Sequence, residues 1–175
     1  MIRHIALMGA GVAMAAPASS AVTVSSDIGF AVENSVDVAA DADTIYRLLG
    51  EPGRWWNAAH SYSGDAANLR LELKAGGCFC EALPDGGGVE HARVIYAAPG
   101  RQLRLSGALG PLQGEAATGT LTFTLSPAEK GVRVTMSYVV GGYMRMGAVS
   151  VAPVVDKVLA EQLAGLKRAA EAGKR

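Results

Sequence analysis

Apolar and polar residues alternate along most of the chain, and near the C-terminus the alternation gives way to a spacing of three and four. Phe30, Val32, Val36 and Val38 fall on one side of a period of two, with Glu33 and Asp37 on the other. That is the pattern of a half-buried strand. Asp41 is a helix N-cap, Ile45, Tyr46, Leu48 and Leu49 form one apolar face, and Gly50 is a stop, so 41–49 reads as a short helix. Pro52 suits the first turn of a second short helix, which carries Arg54-Trp55-Trp56. The polar, glycine-containing stretch 60–68 reads as a loop. Strands follow at 69–74, 78–83, 89–97 and 101–107, separated by Gly- and Pro-rich turns. The stretch 108–117 is a longer loop. Leu121, Phe123 and Leu125 then alternate with threonines, and Val132, Val134, Met136, Tyr138 and Val140 share one face of the last strand. Strands patterned on one face only belong to an antiparallel sheet with one wet side. From 151 to about 172, Val154, Val155, Val158, Leu159, Leu163 and Leu166 make a helical stripe, with Pro153 expected in the first turn. The predicted class is α+β: a curved antiparallel sheet of about seven strands, two short helices after the first strand, and a long C-terminal helix. One helix cannot cover all of a strongly curved sheet, so this order predicts an internal hollow between the two.

The first residues read as a targeting segment. Arg3 and His4 precede an apolar run over 5–16, shorter than the ~20 residues a membrane span needs, and the small-residue steps Ala13-Met14-Ala15 and Ala16-Pro17-Ala18 follow. We expect a signal peptide over 1–21, an exported (periplasmic or secreted) protein and no membrane span. The chain has 175 residues, enough for one domain, with 50% hydrophobic and 18% charged residues, which excludes a disordered chain. Sixteen basic and sixteen acidic residues cancel, and no basic stripe marks a nucleic-acid partner. Cys78 and Cys80 are the only cysteines. On a regular strand they lie about 6.5–7 Å apart at Cα, the upper limit for a disulfide, so two packed thiols are expected unless the strand bends at Gly76-Gly77. A Cys-x-Cys metal site lacks further cysteine ligands, and neither a metal nor a cofactor is expected.

Several local motifs then resemble one superfamily. They are the 36–43 strand-to-helix step, Glu51-Pro52 before Trp55-Trp56, Gly76-Gly77 before Phe79 and Glu81, Pro99 before Leu103, and Gly119-Thr120-Leu121 before Thr122. Over about 27–172 the chain resembles the START-like (SRPBCC, Bet v 1-like) superfamily of helix-grip folds. Within it the chain is most similar to bacterial polyketide cyclase-like members and to activator-of-Hsp90-ATPase homologues. The resemblance implies a sheet gripping its terminal helix, with Phe79 pointing inward. It does not imply one activity, because the superfamily spans carriers, cyclases, hydrolases and co-chaperones.

Candidate site residues follow from chemistry and placement. Trp55 and Trp56 cannot both face one way, so one plugs the core while the other lines a cavity mouth. His60 and Tyr62 belong to a polar loop beside them. A turn centred on Gly86 places Glu81 opposite His91, a carboxylate and an imidazole able to act as general base or to anchor a polar ligand end. A surface ion pair is the alternative. Phe79, Phe123 and Tyr138 join the candidate lining, and Tyr143, Met144 and Met146 make a candidate gate beside Gly141-Gly142. There is no Gly-x-Ser-x-Gly elbow and no P-loop. The leading expectation is an exported domain holding a hydrophobic or amphipathic small molecule. A cyclase or hydrolase using Glu81 or His91 is the second reading. A co-chaperone-like interaction module, marked by a broad exposed apolar patch, is the third.

Overall fold

A computed structural model describes residues 19–173. The positions 1–18 of the expected leader lie outside the described residues, and Ser19, Ser20 and Ala21 open the first strand. Eight strands form one antiparallel sheet: β1 (Ser19–Ser26), β2 (Gly29–Val38), β3 (Leu69–Leu71), β4 (Cys78–Ala82), β5 (Gly88–Ala98), β6 (Gln102–Ser106), β7 (Ala116–Ala128) and β8 (Gly131–Tyr143). Their order across the sheet is β1-β2-β8-β7-β6-β5-β4-β3. The extra strand relative to the sequence reading is β1, which pairs with β2 from Ser19↔Ser35 to Ser26↔Gly29. Helix α1 (Ala42–Leu49) is capped by Asp41, whose carboxylate accepts the Thr44 amide at 2.8 Å. The second expected short helix is a single 3₁₀ turn, Pro52–Arg54. Two further 3₁₀ turns, Ala58–His60 and Ala66–Asn68, lie in the connection to β3.

Helix α2 (Ala148–Ala172) crosses the sheet on the side of β1 and β2. It begins three residues earlier than the sequence reading, so Pro153 sits in its second turn. Its buried face also differs. Val151, Ala152, Leu159, Gln162, Leu163, Gly165, Leu166 and Ala170 point inward, whereas Val154 is exposed. Contact with the chain around Trp55 constrains the rotation, because a Cβ at Gly165 would collide with the Trp55 carbonyl oxygen. Only glycine lets the helix approach so closely.

The concave face carries the residues that the alternation placed there. Leu103, Leu105, Leu121, Phe123, Val134, Met136 and Tyr138 are buried in one continuous core with Ile45, Leu49 and Trp55. Leu103, Leu105, Val134, Met136 and Tyr138 retain no measurable accessible surface, so no water-sized space stands against them. The hollow expected at this place is filled by the protein's own side chains.

Strand β5 does not keep a simple alternation of buried and exposed residues. Two irregularities interrupt its ladders. Phe79 pairs with Ala92 but Cys80 with Glu90, which leaves His91 as an extra residue. Val94 pairs with Leu105 but Tyr96 with Arg104, which leaves Ile95 extra. His91 and Ala92 therefore both point inward, while Ile95 and Tyr96 both point out.

Candidate functional site

The aromatic candidates gather in one seam. The Phe123 ring lies 6.3 Å from Trp55, Trp55 lies 5.5 Å from Trp56, and Trp56 lies 5.3 Å from Phe79. Phe79 then meets the His91 ring at 5.0 Å, and His91 meets Tyr62 at 5.9 Å. The edge-on and tilted arrangements are those that ring quadrupoles favour. The seam runs from the sheet interior to the surface: Trp55 and Phe79 are buried, Trp56 is half-buried and Tyr62 is 51% exposed. The Trp55 indole N–H donates to the Leu48 carbonyl at 2.9 Å, and Trp56 donates to the His60 carbonyl at 3.0 Å. The adjacent tryptophans divide as expected, one in the core and one at the edge.

Glu81 and His91 meet beneath the loop. His91 Nε2 lies 3.0 Å from Glu81 Oε2, and both side chains are buried. The register behind this contact differs from the sequence reading. Glu81 pairs with Val89, not His91, and the bulge turns His91 toward the carboxylate. The surface ion pair is excluded by burial. Glu81 also accepts the backbone N–H of Tyr62 at 3.0 Å and that of Ser63. Burial pushes the Glu81 carboxyl upward, but the hydrogen bonds from Ser63, Tyr62 and His91 outweigh it, and the net shift is downward. For His91 burial dominates and lowers its pKa, against the raising influence of Glu81. The pair at neutral pH is thus a carboxylate beside a neutral imidazole, with the proton on Nε2 directed at Glu81.

These bonds make the connection 56–68 a strap. On the sheet side Glu81 holds two of its backbone amides, and the Tyr62 hydroxyl donates to the Gly110 carbonyl at 2.9 Å. On the helix side His60 Nε2 lies 3.1 Å from Glu161. The Asn57 side chain also donates to Glu161, and its amide donates to the Gln162 side-chain oxygen at 2.7 Å. Asn57, Glu161 and Gln162 did not stand out in the sequence, because their roles depend on two distant segments meeting.

A groove with a volume of about 480 Å³ opens beside the strap, lined by residues 53–57 and by Glu161, Gly165, Arg168 and Ala169 of α2. Arg54 is paired with Glu51, and Glu161 with Asn57 and His60. Arg168 has no hydrogen-bond or ion-pair partner among the described residues, so the uncommitted charge in the groove is positive.

The remaining candidates lie elsewhere. The Tyr138 hydroxyl donates to the Gly107 carbonyl at 2.9 Å and accepts the Leu109 amide at 3.0 Å. Burial pushes its pKa up to about 12, despite the opposing Leu109 hydrogen bond, so it is a neutral structural brace. Met144 is buried in the core. Tyr143 and Met146 are each 71% exposed, at the sheet end where Gly142 donates to the Ile28 carbonyl. They form no gate over the seam. The cysteines also depart from expectation: Cys78 and Cys80 are joined in a disulfide, with Cα atoms 5.4 Å apart. That span is shorter than a regular strand imposes and falls within the reach of a disulfide.

This sheet, gripped helix and aromatic seam define a helix-grip domain. The family model described as polyketide cyclase / dehydrase and lipid transport matches residues 29–171, and the chain belongs to that family, within the SRPBCC superfamily. Solved structures agree in fold. A protein from Mesorhizobium loti is 14% identical, with a TM-score of 0.59 over 83% of this chain and 99% of that one. A conserved protein of unknown function from Enterococcus faecalis is 15% identical, with a TM-score of 0.59 over 90% of this chain and 79% of its own. The di-domain ARO/CYC StfQ of the steffimycin biosynthetic pathway is 16% identical, with a TM-score of 0.56 over 83% of this chain and 50% of that protein. No curated protein matches the chain. No helix among the described residues is long and apolar enough to cross a membrane.

Proposed function

We propose that the protein is an exported binding protein for an amphipathic small molecule with an apolar body and an anionic head. The reading rests on one observation: Trp55 and Trp56 both line the open groove and both belong to the aromatic seam, so groove and seam share a wall of two rings. The head sits at Arg168, and the apolar body lies against Trp56 and replaces it along the seam as the strap lifts. Burial of apolar ligand surface, at about 25 cal/mol per Å², drives the association. The family description, which includes lipid transport, supports a hydrophobic cargo.

Binding is favoured over catalysis by the state of the polar pair. Glu81 has both oxygens engaged by the strap and His91, and the His91 proton points at Glu81. A general base needs a free lone pair aimed at its substrate. Export rests on the leader read over 1–21, and N-terminal sequencing of the protein from the extracytoplasmic fraction of its host tests it.

Tryptophan emission titrated with dodecanoate tests the binding reading. We expect a saturable change, weakened about tenfold or more in Arg168→Gln, since a charge-assisted contact contributes about 1.5–3 kcal/mol. Trp56→Ala weakens it further, and dodecanol binds less well than dodecanoate. A linear, unsaturable response, or equal affinity of Arg168→Gln, overturns the reading.

A further inference from the structure

Strand β4 has chemistry on its other face. Phe79 and Glu81 point inward, so Cys78 and Cys80 project from the convex side. Glu90 of β5 is paired directly opposite Cys80, and Arg93 opposite Cys78. The two sulfurs and the Glu90 carboxylate lie within 4.8 Å of one another. Cys78 is buried, Cys80 half-buried and Glu90 exposed, so the trio reaches solvent only on its Cys80 and Glu90 side.

The disulfide here closes a loop of three residues, Cys78-Phe79-Cys80. A crosslink restrains the unfolded chain less as its loop shortens. Stabilisation by loop closure is therefore a weak reason for this bond, and the neighbouring carboxylate is unexplained by it. Glu90 is held by Arg93, a contact on the surface that can exchange for another cation.

We infer that Cys78, Cys80 and Glu90 form a redox-gated site for a borderline divalent cation, with zinc the fitting ion. Two thiolates and one carboxylate make a donor set that magnesium and calcium disfavour and zinc accepts. Tetrahedral zinc with bonds of about 2.3 Å to sulfur sets its thiolates about 3.8 Å apart, a spacing that this cluster reaches with side-chain rotation. Water takes the fourth position. The three negative charges, offset by the cation and by Arg93, leave the loaded site near neutral. The oxidised state holds no thiolate and is closed to metal. Opening takes two electrons and two protons from a dithiol reductant of the thioredoxin class, which leaves as its own disulfide. The sulfur–sulfur bond breaks, two thiols form, and the cation then displaces their two protons. Because Phe79 lies between the ligands and Glu81 follows them, the switch acts on the strand that holds the strap.

Cobalt(II), a spectroscopic stand-in for zinc, tests the site. The purified protein is titrated anaerobically before and after treatment with a water-soluble phosphine, which takes the disulfide to two thiols as it becomes the phosphine oxide. We expect the reduced protein to bind one cobalt with a thiolate-to-metal charge-transfer band, zinc to displace it, and magnesium to leave it unchanged. The untreated protein gives no band, and Cys80→Ser abolishes it. Glu90→Gln, a surface change that leaves the fold intact, weakens binding about tenfold or more. Absence of the band after reduction, a disulfide that resists the phosphine by alkylation and intact mass, or Glu90→Gln binding as tightly as the parent each overturns the inference. The last outcome also exposes thiols of an unfolded chain binding metal indiscriminately.

Discussion

A buried carboxylate persists only where donors replace its lost water, and Glu81 has three: the amides of Tyr62 and Ser63 and the His91 ring. Losing part of that set is costly. Glu81→Gln keeps one acceptor oxygen and should cost about 2 kcal/mol in chemical denaturation, with Glu81→Ala costing more. Acid has the same target. The folded-state pKa values of both Glu81 and His91 lie below their ordinary values, so the folded protein binds fewer protons than the unfolded chain across those ranges. Stability is therefore fully present above the ordinary values of 6.5 for histidine and 4.5 for glutamate, and falls as pH drops through each toward its lowered counterpart. Thermal melts across pH should show a first decline beginning near 6.5, absent in His91→Gln, and a second in the acid range. The partnership of Glu81 and His91 was legible in the sequence, but its register was not. The expected turn centre was one residue off, which moves the partner of Glu81 from His91 to Val89, and the bulge at His91 restored the contact. A bulge leaves no mark in hydrophobic periodicity beyond a break in the alternation, as in β5.

At the scale of elements, small residues decide which faces meet. The stripe ending at Leu166 predicted a helix at the right place, yet Val154 is exposed and Gln162 and Gly165 are buried. Periodicity weighs side chains by hydrophobicity and gives no weight to a glycine that a neighbouring carbonyl needs. Gly165→Ala should cost about 1–3 kcal/mol by overpacking, although alanine is the better helix former. Gly119 is the counterpart in the sheet: a Cβ there would enter the Tyr138 ring. The strap is the element least visible in advance. Its polar, glycine-containing sequence reads as an ordinary loop, and its anchors, Glu81, Gly110 and the adjacent Glu161 and Gln162, come from three separate parts of the chain. Hydrogen exchange should rank 56–68 well ahead of β7 and β8, because few backbone ladders hold it.

For the molecule as a whole, alternation and one terminal helix specify the architecture, and the same pattern explains why the concave face is full. Large side chains at Phe123, Met136 and Tyr138 close the space that a curved sheet would otherwise leave. The open groove lies at the edge, where the Pro52–Arg54 turn approaches α2 and Trp55 and the half-buried Trp56 line it. On the proposed reading the sheet and helix form the frame, and the strap, held by side-chain contacts and not by a ladder, is the part that lifts. The exposed apolar residues Ile28, Tyr143 and Met146 lie at another end of the sheet and offer a competing surface for greasy molecules.

Hydrogen–deuterium exchange of the protein, free and saturated with dodecanoate, separates these possibilities. The account predicts slowed exchange in 53–68 and in the facing turns of α2 around Gly165, with the sheet end at Ile28 and Tyr143 unchanged. Protection at that sheet end, with none over 53–68, would contradict it.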